Sequence, residues 1–112
     1  RIVHKGMFEV TNGSLGTARA HNLPSGLGGM AGKTGTVQVK RITKEQREAG
    51  ITKNIERPWK ERDHALFVGY APIKDPRYAV AVVVEHGGSG SSMAAPIAKA
   101  ALKRALETEG KA

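Results

Sequence analysis

Gly32-Lys33-Thr34-Gly35-Thr36-Val37-Gln38-Val39 is the stretch on which the reading of the fold turns. From Lys33 to Ile42 apolar and polar residues alternate. Val37 and Val39 lie on one face, Thr34, Thr36, Gln38 and Lys40 on the other, which is the period-two pattern of a half-exposed strand. Before it, Gly16 to Gly32 is rich in glycine and broken by Pro24, so it reads as a loop. A lysine, two hydroxyls and a glycine are therefore gathered on a strand that follows a loop. This order argues against a phosphate-binding loop, which would need glycine where Leu27 stands, a strand before it and a helix after it. The nearby Gly26-Leu27-Gly28-Gly29-Met30-Ala31 fits a relaxed dinucleotide fingerprint, but no strand precedes it and no helix opens on it.

Outward from this strand, Ile2, Val3, Met7, Phe8 and Val10 have the spacing of an amphipathic helix, which Asn12-Gly13 would stop. Thr43 to Asp63 is dense in mixed charge and interrupted by Gly50 and Pro58. It is expected to be a long excursion, partly helical near Lys44 to Ala49. His64 to Ala71 and Tyr78 to Glu85 predict an antiparallel hairpin across Pro72-Ile73-Lys74-Asp75-Pro76. The run Ala79-Val80-Ala81-Val82-Val83-Val84 lacks polar alternation, so it predicts a central strand covered on both faces. His86 to Ser92 can cap a helix over Met93 to Leu106, with Pro96 tolerated in its first turn.

Composition narrows the classes of function. Hydrophobic residues make up 39% of the 112 and charged residues 25%, as in ordinary folded domains. The length suits one domain, 1–112, without an internal boundary. Eighteen Lys and Arg against ten Asp and Glu give a net charge of +8, which favours anionic partners. One Trp, two Tyr and two Phe are few for the aromatic interleaving of a nucleic-acid surface, so no nucleic-acid partner is expected. The absence of cysteine excludes disulfides, thiolate catalysis and Cys-ligated zinc. His4, His21, His64 and His86 lack a close metal-ligand spacing, so neither a metal nor a cofactor is expected. The Tyr78 to Val84 run is too short to span a bilayer, and any export or anchoring signal is expected outside this stretch.

A third reading of Lys33-Thr34-Gly35 is the lysine-threonine-glycine element of serine acyl-transferases that react with β-lactams. A peptide can be added to an exposed edge strand, and Gly35 permits close backbone approach. Lys33 supplies positive charge, and the Thr34 and Thr36 hydroxyls can meet a carboxylate. The Thr36 amide can serve an oxyanion hole.

The likeness extends beyond the tripeptide. Gly29 to Val39, Asp63-His64-Ala65-Leu66-Phe67-Val68-Gly69-Tyr70-Ala71-Pro72, Val82 to Gly90 and Ala94-Ala95-Pro96-Ile97-Ala98 resemble, in order, the end of bacterial penicillin-binding protein 2. The Gly6-Met7 helix and Gly16-Thr17-Ala18 resemble the segment that precedes the strand in that family. The resemblance implies an α+β fold, the C-terminal part of a serine β-lactamase-like transpeptidase domain. Three antiparallel strands would belong to a larger sheet, with the N- and C-terminal helices packed on one face. It implies catalytic roles for Lys33 and Thr36, and substrate binding by Thr34, Gly35, Thr36 and Gln38. It also implies a peptidoglycan D,D-transpeptidase of cell elongation on the periplasmic face of the inner membrane. Stem peptides, β-lactams and the elongation glycosyltransferase would be its partners. Ser14, Ser25, Ser89, Ser91 and Ser92 all lack a lysine three residues later and an asparagine two residues later. The Ser-x-x-Lys nucleophile and the second serine motif are thus expected on an upstream part of the same domain, and this chain alone is expected to be inactive. The alternative is a non-catalytic module that holds an anionic glycan or peptide.

Overall fold

The computed structural model describes residues 1–51 and 53–109, with the backbone only for Ser25 and Asn54. Helix α1 spans Ile2–Asn12 and strand β1 Ala31–Val37; α2 is a short helix at Lys44–Glu48. Strands β2 (His64–Ala71) and β3 (Tyr78–Val84) follow, and α3 covers Ala95–Glu109. The three strands form one antiparallel sheet in the order β1-β2-β3. The α+β class and the hairpin agree with the sequence.

Alternation along β2 turns Ala65, Phe67 and Ala71 to a buried face and Leu66, Val68 and Tyr70 to the reverse. Helix α3 covers the buried face. Ala94, Ala95 and Ala98 are fully buried, which lets the helix approach the sheet closely, and Leu102 and Leu106 fill the space beyond. Val80, Val82 and Val84 pack against the same cluster, as expected of core residues. Ser89 caps the entry to this helix by accepting from the Ser92 amide at 3.5 Å, and a single wide turn at Gly90–Ala94 leads into it.

Helix α1 meets the sheet along β1 and serves both faces. Val10 joins the core, and the buried Thr11 hydroxyl donates to the Met30 carbonyl at 2.5 Å. Near the other end, His4 shares a 2.7 Å hydrogen bond with Tyr70 on the reverse face. The expected common face thus holds for α3 and for the C-terminal end of α1.

One expectation about a strand needs correction. Strand β1 starts at Ala31 and ends at Val37, instead of running from Lys33 to Ile42. It ends where its partner does: Val37 lies opposite His64, the first residue of β2. Beyond it, the Val39 amide donates to the Asp63 carboxylate at 3.4 Å, and the chain leaves the sheet. Among the described strands β2 lies in the middle and β3 at one side, with Ala79, Ala81 and Val83 facing outward and Val83 60% exposed; the central place expected for β3 was in a sheet larger than these three strands. An unbroken apolar run requires a layer on each face, and among the described residues only α3 supplies one.

The radius of gyration is 16.1 Å, above the ~13 Å of a compact domain of this length. Ile2, Val3 and Leu15 are largely exposed. Among the described residues no helix is long and apolar enough to cross a membrane.

The Thr43–Asp63 excursion is anchored by one buried cation. Arg57 is 3% exposed; its guanidinium donates to the Lys40 carbonyl and pairs with Asp63 at 3.3 Å. Thr43 forms a capping box with Gln46 that starts α2. At the surface, Lys40 contacts Glu61 at 2.5 Å, and this hydrogen bond holds the Glu61 carboxyl below the usual carboxylate range. The Lys40 bond to Glu61 therefore stabilises the fold above the ordinary carboxylate pKa, and its contribution is lost as pH falls through the lowered one. Replacing Arg57 with Ala removes the anchor and leaves Asp63 without this partner. We expect Arg57→Ala to make the 41–62 segment the first site cut in limited proteolysis of the protein. The core strands should stay protected, and an unchanged cleavage pattern would refute the anchoring role.

Candidate active-site strand

The site is built on the edge of β1 that faces away from β2. The loop before it turns at Gly28 and Gly29, whose φ values of 89° and 71° lie in the left-handed region that glycine enters without a Cβ penalty. The Asn22 side-chain oxygen accepts from the Met30 amide at 3.0 Å and from the Leu23 amide at 2.8 Å, fixing the point at which the strand starts. Of the dinucleotide-like glycines, Gly26 thus lies in a short 3-10 turn at Ser25–Leu27, and Gly28 and Gly29 make the turn into a strand.

Along β1, Ala31 and Gly32 are buried, Lys33 and Thr36 are exposed, and Thr34 and Gly35 are intermediate. The Lys33 ammonium folds back to donate to the Thr34 carbonyl at 2.7 Å. It also borders a groove of about 340 Å³ between β1, Gly6, Glu9 and Val10 of α1 and the loop through Leu15 and Thr17. The Thr34 hydroxyl lies 3.0 Å from that of Thr17. Thr36 is opposite Ala65, near the strand's end. Gln38 falls one residue past the strand, so the structure does not continue the alternation that grouped it with Thr34 and Thr36.

The two glycines of Gly32-Lys33-Thr34-Gly35 have different reasons for being glycine. A Cβ at Gly32 would lie 2.3 Å from the Phe67 ring and 2.6 Å from the Val68 carbonyl oxygen. At Gly35 the only neighbour among the described residues would be Leu66 Cβ, at an ordinary 3.4 Å. Internal packing therefore demands Gly32 and leaves Gly35 unexplained. An approaching ligand backbone would explain it. Gly90 comes against the same strand, because a Cβ there would lie 2.6 Å from the Gly35 carbonyl oxygen and 2.9 Å from its nitrogen. The Gly87 to Gly90 loop is thus next to the lysine-threonine-glycine strand, as well as forming the helix entry.

The histidines lack a close spacing in sequence, yet the hairpin brings two of them together. The His64 ring meets that of His86 at 4.7 Å, and Trp59 stacks on His86 at 4.1 Å while remaining 57% exposed. His86 adopts a φ of 54°, uncommon for a side-chain-bearing residue, and its amide donates to His64 Nδ1 at 2.9 Å. One histidine opens β2 and the other follows β3, so the strand pairing itself was the signal. Among the described residues no group of three or more His, Asp or Glu side chains is placed to hold a metal ion. On the reverse face, burial pushes the Tyr70 phenol up. Thr17 was the contact that strand-by-strand reading missed, since only the fold brings it to Thr34.

Comparison with known proteins accords with this geometry. The family described as the penicillin binding protein transpeptidase domain matches residues 1–103. The chain belongs to that family. Among curated relatives, peptidoglycan D,D-transpeptidase MrdA of Haemophilus influenzae is 37% identical over 97 residues, which is 85% of this chain and 14% of that protein. MrdA of Acinetobacter baumannii is 42% identical over 87 residues, 73% of this chain and 12% of that protein. The chain therefore spans only about a seventh of the length of these relatives. Among solved structures, Pseudomonas aeruginosa PBP2 in complex with WCK 5153 superposes with a TM-score of 0.60 at 42% identity. That match covers 87% of this chain and 17% of the other. Helicobacter pylori PBP2 in complex with MreC gives 0.63 at 26% identity, over 96% of this chain and 16% of the other.

The contrast between the glycines is testable in the transpeptidase domain. Gly32→Ala should destabilise it by about 1–3 kcal/mol through overpacking against Phe67. Gly35→Ala should shift its melting temperature by no more than about 2 °C while slowing acylation by a penicillin. Equal losses of stability in both variants would show that Gly35 is needed for folding.

Proposed function

We propose that this chain is the strand-bearing part of a peptidoglycan D,D-transpeptidase that cross-links stem peptides through an acyl-serine intermediate. The observation that carries the reading is Gly35, which its own fold does not require and which lies between two threonines on an open strand edge. The family match over residues 1–103 supports it.

In this reading the chain is one piece of a single domain whose upstream part brings the Ser-x-x-Lys nucleophile and the second serine motif. The serine hydroxyl adds to the carbonyl of the terminal D-Ala-D-Ala amide, and the Thr36 N–H donates to the oxyanion that develops. D-alanine leaves, and an amine of a neighbouring stem then displaces the serine from the ester. Lys33 supplies positive charge beside the two serines, and the Thr34 and Thr36 hydroxyls meet the substrate carboxylate. Gly35 lets the peptide backbone approach as an added strand, and Gln38 borders its far end. β-Lactams acylate the same serine. The whole protein acts in cell elongation at the periplasmic face of the inner membrane, anchored through a segment outside this stretch. It works beside a glycosyltransferase in a larger assembly; the Helicobacter pylori relative forms a complex with MreC.

Labelling of the full-length protein with a fluorescent penicillin tests the reading. Wild type should take one label on a serine outside this chain, and Lys33→Ala should slow labelling on the order of a hundredfold, as for loss of a preorganised charge in an acyl-transfer site. The isolated chain should remain unlabelled. Label on one of its own serines, or an unlabelled full-length protein, would sink the proposal, the latter in favour of a binding module.

A further inference from the structure

Thr17 touches the proposed site from a segment that sequence logic does not connect to it, and its position is fixed on both sides. The Gly16 amide donates to the Gly13 carbonyl at 3.0 Å and the Ala18 amide to the Val10 carbonyl at 3.0 Å, so the segment is tied to the end of α1. Gly16 has no room for a side chain, since a Cβ would lie 2.4 Å and 2.5 Å from the Val10 and Glu9 carbonyl oxygens. Ala18 is fully buried in the core. Between these anchors Thr17 is exposed, and its hydroxyl oxygen is 3.0 Å from that of Thr34.

Each hydroxyl has one proton, and only one of the two protons can occupy the gap between the oxygens. If Thr34 donates to Thr17, Thr34 turns lone pairs toward a ligand and repels an anion. If Thr17 donates to Thr34, the Thr34 proton is free to point outward, and accepting a hydrogen bond makes that hydroxyl a better donor. An ionised carboxylate only accepts, so its arrival selects the second arrangement.

We propose that Thr17 is a positioning residue that sets the Thr34 hydroxyl as a donor to the carboxylate of the acyl donor. It thereby makes the site selective for substrates and inhibitors that carry a free carboxylate beside the scissile amide. The inference rests on the transpeptidase reading given above, because it takes Thr34 as the group that meets the ligand.

The test uses the full-length protein and two probes, a fluorescent penicillin with its free carboxylate and the methyl ester of the same compound. Thr17→Val keeps the side-chain shape and removes the hydroxyl, Thr17→Ala removes both, and Thr17→Ser restores the donor. With the free acid, Val and Ala should slow acylation roughly tenfold, the scale of one hydrogen bond to a charged group, and Ser should restore it to within about twofold. With the neutral ester all four proteins should react within about threefold of one another, because charge assistance is gone. Wild-type rates for Val and Ala with the acid would overturn the proposal. So would an equal loss with acid and ester, which would mark a merely structural role. A wild type that reacts with neither probe would instead overturn the transpeptidase reading, and this proposal with it.

Discussion

The Phe67 ring lies across a pair of glycines, Gly32 on β1 and Gly69 directly opposite on β2, and the rest of the structure depends on that contact. A Cβ on either glycine would enter the space of the ring, at 2.3 Å for Gly32 and 2.7 Å for Gly69. Phe67 is fully buried and joins the sheet to the alanine-rich face of α3. Because side chains alternate along a strand, a slip of one residue would drive Lys33 under the ring and move every group of the edge to the other face. One aromatic ring and two absent side chains thus fix the register, and the register sets where the lysine, threonines and Gly35 stand.

Much of the fold was legible because it is written locally. The hairpin strands His64 to Ala71 and Tyr78 to Glu85, the proline-bounded turn between them and the serine-capped entry to the last helix are short-range patterns, and all appear in the structure. The ends of β1 were not legible, because a strand stops where its partner stops, and the partner starts more than twenty residues later. The apolar run of β3 was read as a demand for cover on both faces, but a demand does not reveal which layer meets it. At the site, the tripeptide could be recognised and its flanking residues could not be ranked. Gly32 and Gly35 look equivalent in sequence and differ only in what a Cβ would strike. The Thr17 contact and the pairing of His64 with His86 depend on topology, and no spacing rule encodes them.

Charge is distributed with a similar separation of roles. The net charge of +8 suggested an anionic partner at the outset, yet the one deeply buried cation among the described residues, Arg57, has an internal task. It ties the excursion to the end of β1 and the start of β2 through the Lys40 carbonyl and Asp63. Lys33, in contrast, is exposed and among the described residues bonds to the carbonyl of its own neighbour, a contact that costs little to exchange for an incoming negative group.

The outward face of β3 has a consequence for the chain as a material. Ala79 to Val84 is a proline-free, uncharged run of high strand propensity with one edge unpaired among the described residues. That is the composition from which dry, interdigitated cross-β stacks assemble. The segment best suited to the middle of a large sheet is therefore also the one best suited to nucleate fibrils. How quickly the rest of the domain closes over it during folding decides between the two fates.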